Sequence, residues 1–84
     1  MTPCPNTIRA CLIDLGLLPA TADIADSASL IDAGALDSLA LMQVVTMLEA
    51  RFAITVGTDD LLPENFDSIE NIRRYVVSKL EAAA

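Results

Sequence analysis

The chain has 84 residues, of which 54% are hydrophobic and only 4% aromatic, and 12 acidic against 5 basic residues give a formal net charge of −7. This length predicts one domain, residues 1–84, with an aliphatic core and no room for a deep catalytic cavity. The negative charge argues against nucleic acid and anionic membranes as partners, because phosphates repel it. Two interpretations of the charge stay open: attraction of basic protein surfaces, or solubility alone.

Several features predict a cytosolic protein without a metal site, and we expect it to be a monomer. No apolar run reaches the roughly 18 residues of a membrane span, and Met1–Pro5 lacks the basic and apolar parts of a secretory signal. Histidine is absent, so Cys4 and Cys11 do not complete a four-ligand zinc site. We expect Cys11 to be a buried reduced thiol, Cys4 to be an exposed one, and no disulfide to join them.

The first helix is predicted over residues 7–15. Apolar residues repeat there at helical spacing: Ile8, Cys11, Leu12 and Leu15. Asn6 or Thr7 is the expected N-cap, and Gly16 suits the end of the helix.

A long connection is predicted over residues 17–37, because Pro19, Gly34 and several Asp and Ser residues interrupt any helical pattern. A connection of this length without regular structure is unusual in a compact domain, so we expect a short turn near residues 29–32. Three apolar residues are expected to pack this connection onto the core: Leu30, Ile31 and Leu36.

The second helix is predicted over residues 38–52. Its inward face is predicted from the apolar spacing: Leu41, Val44, Val45, Leu48 and Phe52. The following residues 54–56 are too few to predict a strand. A short helical turn is expected over residues 61–65, with Pro63 near its start.

The last helix is predicted to begin at Asp67 or Ser68, because Asp67 and Glu70 have capping-box spacing. Its apolar stripe comprises Ile69, Ile72, Val76 and Leu80. Three main helices and one short helix predict an all-α fold, a small four-helix bundle.

The pair Asp37-Ser38 precedes the second helix, and its simplest role is that of a helix cap. The reciprocal Glu or Gln of a capping box is missing, since Ala40 and Leu41 stand in its place. A catalytic serine would need a base, but there is no histidine and no G-x-S-x-G motif, and nothing in the sequence places Lys79 near Ser38. We therefore expect no catalytic residue and no enzymatic activity.

A phosphate ester on Ser38 is chemically reasonable, because a helix N-terminus offers unpaired N–H groups and a positive dipole end. Leu39 and Met42 lie one turn apart beside the serine and would add an apolar patch. Each of these two residues also has an ordinary structural interpretation, Leu39 as a core residue and Met42 as a flexible side chain that fills space beside the helix.

At these residues the sequence resembles the acyl carrier protein family. Residues 34–39, Gly-Ala-Leu-Asp-Ser-Leu, resemble the D-S-L phosphopantetheine-attachment motif, and the likeness extends to residues 30–32, 48–52 and 66–72. The resemblance implies that Ser38 carries 4′-phosphopantetheine from coenzyme A, installed by a phosphopantetheinyl transferase. It also implies an acyl or aminoacyl cargo held as a thioester, a loading ligase or transferase, and downstream acyl-accepting enzymes.

The second helix departs from that of primary fatty-acid carriers, which is strongly acidic. Ala40, Gln43, Ala50 and Arg51 replace most of its acidic residues, and Glu49 remains. The departure favours an aminoacyl, D-alanyl or specialised-metabolite carrier over one of fatty-acid synthesis.

Within the carrier hypothesis, Asp37 is expected to assist recognition by the transferase. The predicted partner-facing strip follows helical spacing along the second helix: Leu39, Met42, Gln43, Thr46 and Glu49. The alternative hypothesis is a non-enzymatic acidic helical interaction module in which Ser38 stays unmodified.

Overall fold

The computed structural model describes residues 2–21 and 23–83. Its helices are α1 (Pro5–Asp14), α2 (Ser38–Phe52), α3 (Pro63–Phe66) and α4 (Ile69–Ala83), with a 3₁₀ turn at Thr58–Asp60. The predicted all-α class, with three main helices and a short one, is confirmed. Residues 54–56 form no strand, nor does any other part of the described ranges. Across those same ranges, no helix has the length and apolar character needed to cross a membrane.

The start of α1 differs from the prediction. Cys4 is the N-cap and Pro5 is in the first helical turn, where proline's fixed φ suits a helix and its missing N–H costs nothing. The predicted capping by Asn6 or Thr7 is therefore wrong, and both residues lie inside the helix. Cys4 is half-buried rather than exposed, and its Sγ lies 3.0 Å from Thr7 Oγ1.

The end of α1 agrees with the prediction. Gly16 adopts a left-handed φ of 78°, and its N–H donates to a carbonyl of the last turn while Leu17 N–H donates to Leu12 O at 3.0 Å. This is the Schellman arrangement, which pairs carbonyls that the helix leaves unsatisfied. Cys11 is a buried free thiol as expected, and its burial raises its pKa.

The connection between α1 and α2 is held by buried side chains and turns. Leu30 and Leu36 are buried as predicted, whereas Ile31 is exposed and that part of the prediction is wrong. The predicted turn near residues 29–32 is present as overlapping turns, with Ala33 N–H donating to Ser29 O at 3.1 Å. Ile31 is exposed because this turning backbone buries Leu30 and directs the adjacent side chain away from the core.

Helix α2 has the predicted bounds and buries the predicted face. Four of the five inward residues are buried and Leu41 is half-buried; the buried four are Val44, Val45, Leu48 and Phe52. Met47 is buried as well, which the spacing did not predict. The helix ends at Phe52, and the next residue, Ala53, adopts a left-handed conformation with φ 55°.

The junction between α3 and α4 corrects the predicted capping box. Pro63 begins α3 as expected, but α4 begins at Ile69 and its first turn is capped by Ser68, whose Oγ accepts from Asn71 N–H at 3.0 Å. Asp67 instead ends α3 and directs its carboxylate to the connection before α2. The two helices need a turn between them, and that turn separates Asp67 from α4 by one residue.

Helix α4 packs against the other three helices and completes the core. Ile69, Ile72 and Val76 are buried as predicted, and Leu80 is half-buried. Tyr75 is also buried, with its ring centroid 5.0 Å from that of Phe66.

Candidate functional site

The chain contains three Asp-Ser pairs, and the structure gives them different environments. Ser27 is exposed in a turn outside any helix. Ser68 is buried, and its hydroxyl is already hydrogen-bonded to α4. Ser38 alone among the three is both exposed and the first residue of a helix. An exposed hydroxyl at a helix N-terminus is the only one of these arrangements that suits attachment of a phosphate ester.

Asp37 caps the N-terminus of α2. Its Oδ1 accepts from Ala40 N–H at 2.8 Å, and its backbone carbonyl accepts from Leu41 N–H at 2.8 Å. The N–H groups of Ser38 and Leu39, at the first two helical positions, have no intrahelical partner. A phosphate on Ser38 Oγ would therefore lie beside free donors and the positive end of the α2 dipole.

A groove of about 330 Å³ opens beside Ser38. Its residues are Ile31, Leu36, Asp37, Ser38, Leu41, Leu61, Leu62, Pro63 and Phe66. The only polar side chains on it are those of Asp37 and Ser38. Its volume is near the lower end of the roughly 300–1,000 Å³ found for small-molecule sites, so the groove suits a slender group.

Asp67 joins the two walls of this groove. One wall is the connection before α2, and Asp67 Oδ1 accepts there from Ser29 Oγ at 2.8 Å and from Ile31 N–H at 3.1 Å. Its backbone carbonyl accepts from Leu30 N–H at 2.6 Å. The other wall includes α3, which Asp67 ends. The position of the loop that leads to Ser38 thus depends on a residue from the far side of the groove.

The predicted partner-facing strip of α2 is mostly exposed. Leu39, Met42, Gln43 and Thr46 are exposed. Glu49 is half-buried, and its Oε2 accepts from Val56 N–H at 3.0 Å, so this carboxylate holds the segment after α2.

Large apolar side chains surround Ser38 on more sides than the sequence predicted. Leu39 is 72% and Met42 49% exposed, and two further residues, Ile31 at 45% and Leu62 at 44%, lie on the groove. Spacing did not indicate Ile31 or Leu62, because neither belongs to a long helix. The sequence did contain one indication of an exposed leucine, namely the adjacent pair Leu61 and Leu62 before Pro63. Successive side chains of an extended backbone point to opposite sides, so such a pair does not bury both.

The part of the chain that the structure describes places no histidine or lysine beside Ser38 to activate it as a nucleophile. There is no histidine, and no basic side chain lines the groove. Lys79, the only lysine, lies 3.8 Å from Asp60. Within the described residues, the groove beside Ser38 therefore holds neither a histidine nor a lysine that could act as the base a nucleophilic serine needs.

Comparisons with known proteins agree with this geometry. The profile of the family described as PP-binding, phosphopantetheine attachment site, matches residues 6–76. Aminoacyl carrier protein 1 of Bradyrhizobium diazoefficiens is 36% identical over 62 residues, which are 74% of this chain and 68% of that protein.

A solved structure is also similar. It is the crystal structure of Bradyrhizobium japonicum glycine:[carrier protein] ligase complexed with glycylated carrier protein, and one of its chains matches with a TM-score of 0.70 and 30% identity. The match covers 84% of this chain and 95% of that chain. Because nearly all of a chain of this small size is matched, the similarity is to the carrier protein in that complex.

Proposed function

This chain belongs to the phosphopantetheine attachment site family, and from that membership we propose that it is a stand-alone aminoacyl carrier protein with Ser38 as its only attachment residue. The family carries covalent 4′-phosphopantetheine, and its members are carriers, not catalysts. The observation that supports Ser38 most is its exposure at the N-terminus of α2, beside the apolar groove.

The chain's own residues contribute position and environment. A phosphopantetheinyl transferase would join Ser38 Oγ to the pantetheine phosphate of coenzyme A as a phosphodiester, with loss of the hydroxyl proton and departure of the nucleotide part. The attached group supplies a thiol that holds the cargo as a thioester. Ser38 fixes the arm to a rigid helix end, and free N–H groups of the first turn stabilise its phosphate.

An aminoacyl cargo is supported by the relatives and by α2. The similar curated protein is an aminoacyl carrier protein, and the similar solved chain was crystallised glycylated, with a ligase. Helix α2 lacks the acidic residues of fatty-acid carriers, and its one Glu is hydrogen-bonded to Val56. We therefore propose an aminoacyl ligase as the loading partner and an acyl-accepting enzyme as the next one.

The remaining assignments belong to the same proposal. Asp37 assists the transferase by orienting the start of α2, and the α2 strip of Leu39, Met42, Gln43, Thr46 and Glu49 faces partners. The chain acts as one domain over residues 1–84 and as a monomer in the cytosol. An unmodified interaction module is the less favoured function, because the family match covers the attachment site itself.

Intact mass spectrometry tests the attachment residue. The purified protein is incubated with coenzyme A and a broad-specificity phosphopantetheinyl transferase, alongside Ser38→Ala, Ser27→Ala and Ser68→Ala variants. We expect one added phosphopantetheinyl group on the wild type and on the two control variants, and none on Ser38→Ala. No added mass on the wild type, or addition that persists in Ser38→Ala, would disprove the proposal.

A further inference from the structure

The mouth of the groove has apolar side chains fixed in exposed positions. Ile31 on one wall and Leu62 on the other are each nearly half exposed. Their backbones are hydrogen-bonded: Ile31 N–H donates to Asp67, and Leu62 N–H donates to Asp60 O at 2.8 Å. Exposed apolar groups on an ordered backbone lose little freedom when a partner covers them.

Carboxylates stand next to these apolar groups. Asp32 follows Ile31, Glu64 lies two residues after Leu62, and Asp37 lies on the groove itself. All three residues are exposed. We call Ile31, Asp32, Asp37, Leu62 and Glu64 the groove rim.

The basic residues of the chain do not neutralise the groove rim. All five lie within the described ranges, and each is 2.6 to 3.8 Å from a carboxylate outside the rim. Their acidic partners are Asp14, Asp26, Asp60 and Glu70. The rim is thus an apolar surface with three carboxylates that no basic side chain pairs with. Asp23, Asp59 and Glu81 also lack a basic partner, but they neither line the groove nor adjoin Ile31 or Leu62 in the chain.

The α2 strip has the opposite character. Its apolar members Leu39 and Met42 are exposed, but its only acid, Glu49, is hydrogen-bonded to Val56. Arg51, just beyond the strip, is paired with Asp14. Of these two surfaces beside Ser38, only the rim offers carboxylates by which a partner could select this chain by charge.

From this distribution we infer that the groove rim is the surface on which the loading ligase docks, through a patch that combines basic and apolar side chains. This inference rests on the proposed function, because it presumes a cargo loaded at Ser38. A ligase that reaches an arm on Ser38 must cover the adjacent surface, and complementary charge both speeds encounter and selects the partner. Carrier and ligase meet transiently, and such interfaces are at the small end of the size range.

A pair of charge reversals that change the net charge by the same amount tests the inference. Glu64→Lys alters the rim, and Glu81→Lys makes the same change near the end of α4. That turn of α4 lies beside Ala53–Thr55, beyond the far end of α2, which is about 22 Å long. Each variant is first converted to the holo form and its mass checked, and its thermal unfolding is compared with that of the wild type.

The probe is the Bradyrhizobium japonicum glycine:[carrier protein] ligase with ATP and glycine, and the measurement is kcat/KM for glycylation. We expect Glu64→Lys to lower kcat/KM by about three- to tenfold through KM at about 0.05 M salt, and Glu81→Lys to leave it unchanged. The difference should shrink at about 0.5 M salt, because screening shortens the range of the interaction. Leu62→Ser should also lower kcat/KM, with little dependence on salt.

Several results would overturn the inference. They are equal effects of Glu64→Lys and Glu81→Lys, a defect confined to variants of the α2 strip such as Gln43→Lys, or a holo wild type that this ligase does not load. The proposed attachment at Ser38 fails by a different result, namely no phosphopantetheinyl mass in the first step. The two failures are therefore distinguishable.

Discussion

Two helices of this protein begin with nearly the same residues but with opposite environments. Asp37-Ser38-Leu39 begins α2, and Asp67-Ser68-Ile69 begins α4. In the first, the Asp carboxylate caps its own helix, the Ser is exposed and Leu39 is 72% exposed. In the second, the Asp67 carboxylate accepts a hydrogen bond from Ser29 in the connection before α2. Ser68 is buried and caps α4, and Ile69 is buried as well.

The comparison teaches that the Asp-Ser-aliphatic pattern is not itself a site. At α4 each polar group is satisfied within the fold and the aliphatic residue belongs to the core, so no group is available to a partner. At α2 the cap is supplied by Asp37, which leaves the Ser hydroxyl and the next aliphatic side chain free. The function proposed for the start of α2 therefore depends on the Ser38 hydroxyl and the Leu39 side chain, which the fold leaves exposed.

The largest contrast is expected between the two aliphatic residues. Ile69→Ala should lower the free energy of unfolding by about 2–5 kcal/mol, because it removes buried contacts and leaves a cavity. Leu39→Ala should change it by less than about 0.5 kcal/mol. Urea unfolding followed by circular dichroism measures both; similar losses for the two variants would show that the helix starts do not differ as described.

Asp67 should matter for both helix starts. Asp67→Ala leaves Ser29 Oγ and Ile31 N–H without their acceptor, and we expect a loss of about 1–3 kcal/mol together with slower modification of Ser38. Asp67→Asn retains an acceptor oxygen and is expected to retain most of the stability. If modification of Ser38 is unchanged in Asp67→Ala at a temperature where it stays folded, Asp67 does not position the loop before α2.

Asp37 allows capping to be separated from recognition. Asp37→Ala should cost about 1 kcal/mol through loss of the cap, and Asp37→Asn should cost little, because Asn is an equally good cap. We expect both variants to be modified about tenfold more slowly by the transferase, equivalent to about 1.4 kcal/mol, if the carboxylate is recognised. Initial rates of Ser38 modification, followed by intact mass, measure this effect. An unchanged rate for Asp37→Asn would mean that Asp37 acts only as a helix cap.

The smallest expected effect concerns pH at the start of α4. Hydrogen bonds from Arg73 lower the pKa of Glu70 from 4.5 to about 2. Because the folded-state pKa is the lower one, the ionised pair stabilises the fold above about pH 4.5, and this contribution is lost as pH falls toward 2.

Comparison of the wild type with Glu70→Gln isolates this contribution from the other carboxylates that titrate at low pH. Their difference in unfolding free energy should be largest at neutral pH and small near pH 2. It will be modest, because the pair is solvent-accessible and screened. A difference that does not change with pH would mean that the Arg73 pair adds no stability.

Much of the fold could be predicted because helix periodicity is a local property. The bounds of α2, its buried face and the glycine that ends α1 all followed from spacing and backbone preference. Ser38 was predicted as the attachment residue for a similar reason, since its motif and the helix after it are continuous in sequence. Predictions were wrong where two residues competed for one role, as with Asn6 and Cys4 at α1 or Asp67 and Ser68 at α4.

The sequence by itself determined the helical class, the place of the serine proposed for attachment and the absence of a histidine to activate it, because these depend on neighbouring residues and on composition. The tertiary structure alone decided which Asp-Ser pair is exposed, that Asp67 links the two walls of the groove, and which carboxylates remain unpaired. Those outcomes depend on contacts between residues tens of positions apart, such as Ser29 with Asp67 and Arg51 with Asp14. Local sequence patterns carry no information about such contacts, since they form only when the helices pack.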